Sequence, residues 1–184
     1  TSITIPESVT YIDNYAFMNS SSLTEINVST NNPNYSSIDG VLFNKAQTEL
    51  IQYPAKKALK NYTIPHHVTS IANRAFGDCS NLTRITIPDS VTSIGDGAFD
   101  RCSNLIVVYN NSDLLIGIGG NNNGYLAYYA KILVDNGETI YKNDGYNYTL
   151  TDDGFLFREK DSKYELISYI GGEDTVTLPE NING

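Results

Sequence analysis

The 184-residue chain has no tryptophan, one methionine, two cysteines and two histidines. So few sulfur and imidazole groups leave neither a disulfide-stapled miniature fold nor a cysteine–histidine metal site as an organising principle. No apolar run approaches the ~20 residues that cross a bilayer as a helix. Basic residues are scarce, 12 against 21 acidic, for a net charge of −9. That balance argues against a nucleic-acid surface or an anchor on anionic lipid. Catalytic spacings are missing as well: there is no G-x-S-x-G elbow, no H-E-x-x-H helix and no cysteine–histidine pairing. The chain is expected not to be an enzyme and to need no cofactor.

Repetition takes their place. "YTIPHHVTSIANRAFGDCSNL" (62–82) returns as "ITIPDSVTSIGDGAFDRCSNL" (85–105), 23 residues on. Ile64 and Ile87, Val68 and Val91, Phe76 and Phe99, and Cys79 and Cys102 all keep that interval. A third copy opens the chain with Ile3, Ile5, Pro6, Val9, Ile12, Phe17 and Leu23, and Ser20 holds the cysteine slot. A fixed period in the twenties marks a solenoid, in which one coil cannot bury its apolar side alone. Leu82-x-x-Ile85-x-Ile87 is the strand core of a leucine-rich repeat. The expected architecture is therefore a β-rich α/β solenoid, a right-handed leucine-rich-repeat coil with a parallel sheet on one face. Pro88 ends its strand, because a proline cannot donate to a ladder. Cys79 and Cys102, at one phase of consecutive coils, read as small packing residues rather than a disulfide.

Irregular segments interrupt the period. The 36-residue step from Val28 to Ile64 exceeds one repeat by 13, and the surplus falls on "DGVLFNKAQTELIQYP" (39–54). Two apolar runs around a polar turn predict a hairpin insertion at about 37–54. The alternative makes "LIQY" a ladder strand followed by a shortened coil. Tyr125, Tyr128, Tyr129, Ile132 and Leu133 recur at helical spacing, so 124–134 is expected to be a short amphipathic helix. The glycines before it lack the third position of G-x-G-x-x-G, which here is Asn122, so no dinucleotide site is expected. "DGFLFREKDSKYELISYI" (153–170) looks like a second hairpin before a partial last repeat. The whole reads as one domain: regular coils over 1–110, a Gly/Asn-rich loop and helix over 111–145, and the hairpin variant over 146–184. Both ends fall inside a repeat, as expected of a piece of a longer protein.

Candidate ligand groups are few. His66-His67 lacks a third metal ligand, and His67 occupies the slot of Ser8 and Ser90, suited to a loop hydrogen bond. Asp152-Asp153-Gly154 and Asp135-Asn136-Gly137-Glu138 lack EF-hand spacing and read as turns, so no metal site is expected. In register, the outward column of the sheet is Ser2, Glu25, Lys60, Arg84, Val107 and Thr175. The next is Thr4, Asn27, Thr63, Thr86, Tyr109 and Thr177. Most of these serve the ladder, where threonine is a good exposed strand residue. Val107 and Tyr109 set apolar and aromatic area beside Arg84, and Tyr and Arg are enriched at binding hot spots. The candidate binding set is Arg84, Thr86, Val107, Tyr109, Glu25 and Asn27. The competing expectation is that the segment after Asn110 covers Tyr109.

"LTRITIPDSVTSIGDGAFDRCSNL" closely resembles the BspA-like leucine-rich repeats of bacterial surface proteins, as do "GVLFNKAQTELIQYP…YTIP" and "NNGYLAYYAKIL". The resemblance implies a secreted or cell-surface, non-catalytic module used in adhesion to host matrix proteins or to other cells. It implies a protein ligand; with the acidic charge and the lack of a long apolar run, no nucleic acid and no membrane insertion of this segment are expected, and the segment is expected to be monomeric. A structural spacer displaying another domain and a carbohydrate-binding accessory module are the alternatives.

Overall fold

The computed structural model describes residues 1–151, 153–169 and 177–179. The chain forms two compact units, Thr1–Ile140 and Tyr141–Gly184.

The first unit is a solenoid. Its outer ladder holds β6 (Asn61–Thr63), β8 (Arg84–Ile87), β10 (Val107–Asn110) and β11 (Ile132–Asp135). They pair in parallel with Asn61, Arg84, Val107 and Ile132 in one row. β12 (Glu138–Tyr141) closes that sheet beyond β11. It is reached through Asn136-Gly137, both at positive φ, the geometry of a tight hairpin turn. A second parallel ladder runs through β5 (Glu49–Gln52), β7 (Ser70–Ile71) and β9 (Ser93–Ile94). β1 (Ser2–Ile5) and β2 (Glu25–Val28) make a separate two-stranded parallel sheet.

The repeat spacing explains this packing. In β8 the side chains alternate, with Ile85 and Ile87 fully buried and Arg84 and Thr86 half-exposed. Ile64, Val68, Phe76 and Leu82 of one coil and Ile87, Val91, Phe99 and Leu105 of the next join one buried cluster. Phe76 and Phe99 stack at 4.7 Å between centroids, and Tyr53 extends the stack at 5.1 Å from Phe76. Cys79 and Cys102 are buried, unbridged thiols. Burial pushes the Cys79 thiol up, and the neighbouring Cys102 adds to the shift.

The hairpin readings both hold a part of the truth. β4 (Val41–Asn44) and β5 pair antiparallel, and β5 then pairs in parallel with β7, as a ladder strand of the second face. An additional strand, β3 (Tyr35–Ile38), flanks β4. Its turn needs Gly40, which has φ +72° and whose Cβ would sit 3.0 Å from the Glu25 side chain. Here the chain crosses the outer face: the Ile26 N–H donates to the Gly40 carbonyl at 2.8 Å, so β2 has no ladder strand on that side. Ile5 of β1 and Leu23 and Ile26 of the next coil form a separate apolar cluster with Leu42 of β4, and Val9, Ile12 and Phe17 of the first coil are only half-buried.

The expected helix over 124–134 does not form. A single 3₁₀ turn, Asn123–Tyr125, is followed by turns and then by β11. Gly124 and Tyr125 both lie at positive φ, which stops a right-handed helix at its start. Leu126, Ala127 and Ala130 are buried in the interior cluster, and Leu133 pairs beside Val108. The helical spacing of the tyrosines therefore disguised another coil.

The second unit holds β13 (Asn147–Leu150), β14 (Phe155–Lys160) and β15 (Lys163–Tyr169) in one antiparallel sheet. Tyr148, Phe155, Leu156 and Phe157 are buried. Asp161 and Ser162, at positive φ, turn β14 into β15. The partial last repeat and the Asp152 turn lie largely outside the described residues.

Candidate ligand-binding face

The outer face of the ladder carries the side chains that strand alternation turns away from the interior. A hollow of about 400 Å³ opens there, lined by Asn61, Tyr62, Thr63, Arg84, Thr86 and Tyr109. Three adjacent strands, β6, β8 and β10, supply it, and parallel pairing at 23-residue register sets Thr63 beside Thr86 and Thr86 beside Tyr109. The Arg84 guanidinium sits 5.9 Å from the centroid of the Tyr109 ring, within cation–π reach. With its amide oriented to satisfy both ends, Asn61 accepts a hydrogen bond from Arg84 Nη2 at 3.2 Å and donates to the Lys60 carbonyl at 3.3 Å. Burial pushes the Tyr62 hydroxyl up, helped by Asp39, so this phenol stays neutral well above its ordinary range.

Three of the expected site residues, Arg84, Thr86 and Tyr109, are brought together, and Tyr109 remains half-exposed. Val107 departs from expectation. It stands in the Arg84 row, yet it is 0 % exposed, and so is Ile132 beyond it. It offers no apolar surface to a ligand. Glu25 and Asn27 are exposed, but on the separate β1–β2 sheet, cut off from the hollow by the hairpin crossing. The expected Lys60 position is off by one residue, since the row partner of Arg84 is Asn61. Counting 23 back from Arg84 lands on Asn61, so the signal was available. Thr175 lies outside the described residues, and Thr177 is exposed.

Other candidates separate cleanly. Ser90 Oγ donates to the Val68 carbonyl at 2.7 Å, as its slot implies. His67, in the same slot a coil earlier, is exposed and makes no such bond among the described residues. No group of three or more His, Cys, Asp or Glu side chains able to hold a metal occurs among the described residues. No helix among them is long and apolar enough to cross a membrane.

The family model for the BspA type leucine rich repeat region (6 copies) matches residues 1–57 and 53–117. The chain belongs to the BspA-type leucine-rich repeat family. No curated protein sequence matches it significantly. Among solved structures it resembles a leucine rich cell surface protein from Faecalibacterium prausnitzii, with 37% identity and a TM-score of 0.54 over 59% of this chain and 29% of that one. A leucine-rich repeat protein from Eubacterium ventriosum matches at 27% identity and TM-score 0.54, over 73% of this chain and 42% of that one. The pneumococcal vaccine antigen PcpA matches at 28% identity and TM-score 0.53, over 59% and 29%. The chain thus spans less than half the length of each of these relatives. A BspA-type repeat region is a protein-interaction scaffold, and two of these relatives bear names pointing to the bacterial surface or to an antigen.

Proposed function

We propose that this BspA-type chain is an extracellular adhesion module that binds a protein ligand, as a monomer and without catalysis, through the outer face around Arg84 and Tyr109. The observation that carries the reading is the hollow in which a guanidinium, an aromatic ring and three small hydrogen-bonding side chains converge. Arginine and tyrosine are enriched among the few residues that dominate interface energies, because they combine large contact area with directional polar groups. The relative named as a cell surface protein supports the location. A rigid parallel ladder also suits the task, since its side chains are held at fixed spacing before any ligand arrives, which lowers the entropic cost of binding.

The test is an array of purified matrix and plasma proteins probed with the wild-type chain and with the Arg84→Ala/Tyr109→Ala double variant. Saturable capture by the wild type that the folded double variant loses supports the reading. Equal capture by both moves the binding surface elsewhere, and no saturable capture favours a spacer role.

A further inference from the structure

We propose that a strip of tyrosines, running from Tyr15 through Arg74 and Asp100 to Tyr125, is a second binding surface, for a neutral and flat glycan. It shares no residue with the face around Arg84 and goes beyond the protein-binding reading. Its residues lie in the turns that precede β2, β8, β10 and β11. Arg74 spans the middle: its guanidinium lies 5.9 Å from the Tyr15 ring centroid, and its Nη1 donates to Asp100 Oδ2 at 2.8 Å. Asp100 in turn bears on Tyr129: burial pushes that hydroxyl up, and the Asp100 charge adds to the shift. Tyr129 meets Tyr128 at 4.9 Å between centroids, and Tyr128 meets Tyr125 at 5.8 Å. Backbone bonds hold the row from coil to coil. The Asp78 N–H donates to the Asp100 carbonyl at 2.9 Å, and the Phe99 N–H to the Gly124 carbonyl at 2.8 Å.

The aromatic surface is open. Tyr15 is 55 % exposed, Tyr128 44 % and Tyr125 37 %. The rings of Tyr125, Tyr128 and Tyr129 meet edge-on, at 87° and 83°, so they do not stack on one another as Phe76 and Phe99 do. The Tyr125 and Tyr128 hydroxyls have no hydrogen-bond partner among the described residues. Charge along the strip is paired, Arg74 with Asp100 and Arg101 with Asp78 at 3.5 Å. Asp13, which accepts the Tyr15 N–H at 3.0 Å, adds an acid at the near end and disfavours a polyanion. These features suit a pyranose. Its C–H face lies against an aromatic ring, whose face carries negative charge density, and its rim of hydroxyls meets phenols and a carboxylate. Parallel coils repeat about every 4.8 Å, comparable to one sugar unit of an extended chain, so successive sugars of a β-1,4-linked glycan can meet successive coils. A protein hot spot would instead seat its anchor in a pocket, and the hollow beside Arg74 holds only about 10 Å³, room for one water.

The test is isothermal titration of the whole chain with cellohexaose and chitohexaose, compared with polygalacturonate and a Lys/Gly octapeptide. Intrinsic emission gives a second readout that reports on tyrosine, because the chain has no tryptophan. Saturable binding of at least one β-linked hexamer is expected, tighter than that of the polyanion or the basic peptide. Tyr128→Ala and, separately, Tyr125→Ala should each weaken it roughly tenfold, for the loss of one ring contact. Melting curves check that each variant is folded. The Arg84→Ala/Tyr109→Ala double variant should bind the hexamer as the wild type does. No saturable binding of either hexamer, unchanged affinity in both tyrosine variants, or tighter binding of polygalacturonate or the peptide each overturns the proposal. The two readings fail separately. If the double variant loses array capture but keeps hexamer binding, both surfaces stand. If array capture is lost in Tyr128→Ala and kept in the double variant, the strip is a protein site and the glycan assignment falls.

Discussion

The rings of Phe76 and Phe99 are stacked 4.7 Å apart and within 10° of parallel, although 23 residues separate them in the chain. Phe99 lies on the ring of the coil before it, and Tyr53 carries the column into the hairpin. Both phenylalanines are fully buried in the main cluster.

Phe99→Ala is therefore expected to destabilise the chain by about 3–5 kcal/mol, through lost burial and the cavity left behind. Chemical denaturation of wild type and variant checks this. An unchanged midpoint would remove Phe99 from the core.

Tyr53 is a different member of that column. Its ring is buried, and its hydroxyl has no hydrogen-bond partner among the described residues. A buried hydroxyl without a partner carries a desolvation cost of about 1–3 kcal/mol. Tyr53→Phe should thus be neutral or stabilising, and a large loss of stability in denaturant would show that the hydroxyl is engaged.

The same burial gives a pH dependence. Desolvation first, then the neighbouring Cys79 and Tyr62, push the Tyr53 hydroxyl up from 10.0, and Tyr62 is raised likewise. The folded state holds both protons more tightly than the unfolded chain, so their contribution to stability is complete below pH 10 and is lost as pH rises above it. Melting temperature should fall steeply at alkaline pH, together with late-appearing tyrosinate absorbance. The Tyr53→Phe/Tyr62→Phe variant should show a shallower fall; an identical alkaline profile would contradict the burial.

Gly124 gives a backbone test. It sits at φ +63°, and an added Cβ would lie 2.5 Å from the Gly95 carbonyl oxygen and 2.8 Å from the Ala98 Cβ. Gly124→Ala should cost more than the ~1 kcal/mol of left-handed strain alone, because the neighbouring coil must also move. Gly137→Ala, at φ +89° with open space around it, is the matched control. Equal melting temperatures for the two variants would refute the close approach.

The regular coils were legible because their apolar slots repeat at a constant interval, and a constant interval in a solenoid is spatial adjacency. Ile85, Val91 and Phe99 could be assigned to the interior with nothing more. Legibility failed where another period overlaid the first. Tyr125, Tyr128 and Tyr129 mimic a helix face, yet the neighbouring Leu126, Ala127 and Ala130 are the buried residues, and the signal for that was their match to the coil's small and apolar slots. Asn32 was invisible in "STNNPNYSS". It is fully buried, donates to the Pro6 and Val9 carbonyls and accepts from the Asn34 and Tyr35 N–H groups, tying the first coil to the insertion. At the candidate face, Arg84, Thr86 and Tyr109 followed from register. The burial of Val107 did not, since strand alternation tells which way a side chain points and not whether something lies over it.

The crossing of the hairpin between β2 and β6 also sets how the solenoid comes apart. Stability in a stacked array is a sum of coil terms and neighbour terms, and here one neighbour term lacks its strand ladder. β1 and β2 share a sheet with each other but not with the rest, and are joined to it by the insertion, whose Leu42 completes their separate apolar cluster. The chain consequently has a seam near its beginning. On mild heating, the amides of β1 and β2 should exchange with solvent before those of β8 and β10, and a protease should find its first cut on the near side of that seam. The outer face around Arg84 lies on the far side, where coil still rests on coil, so this surface should keep its shape after the leading edge has frayed.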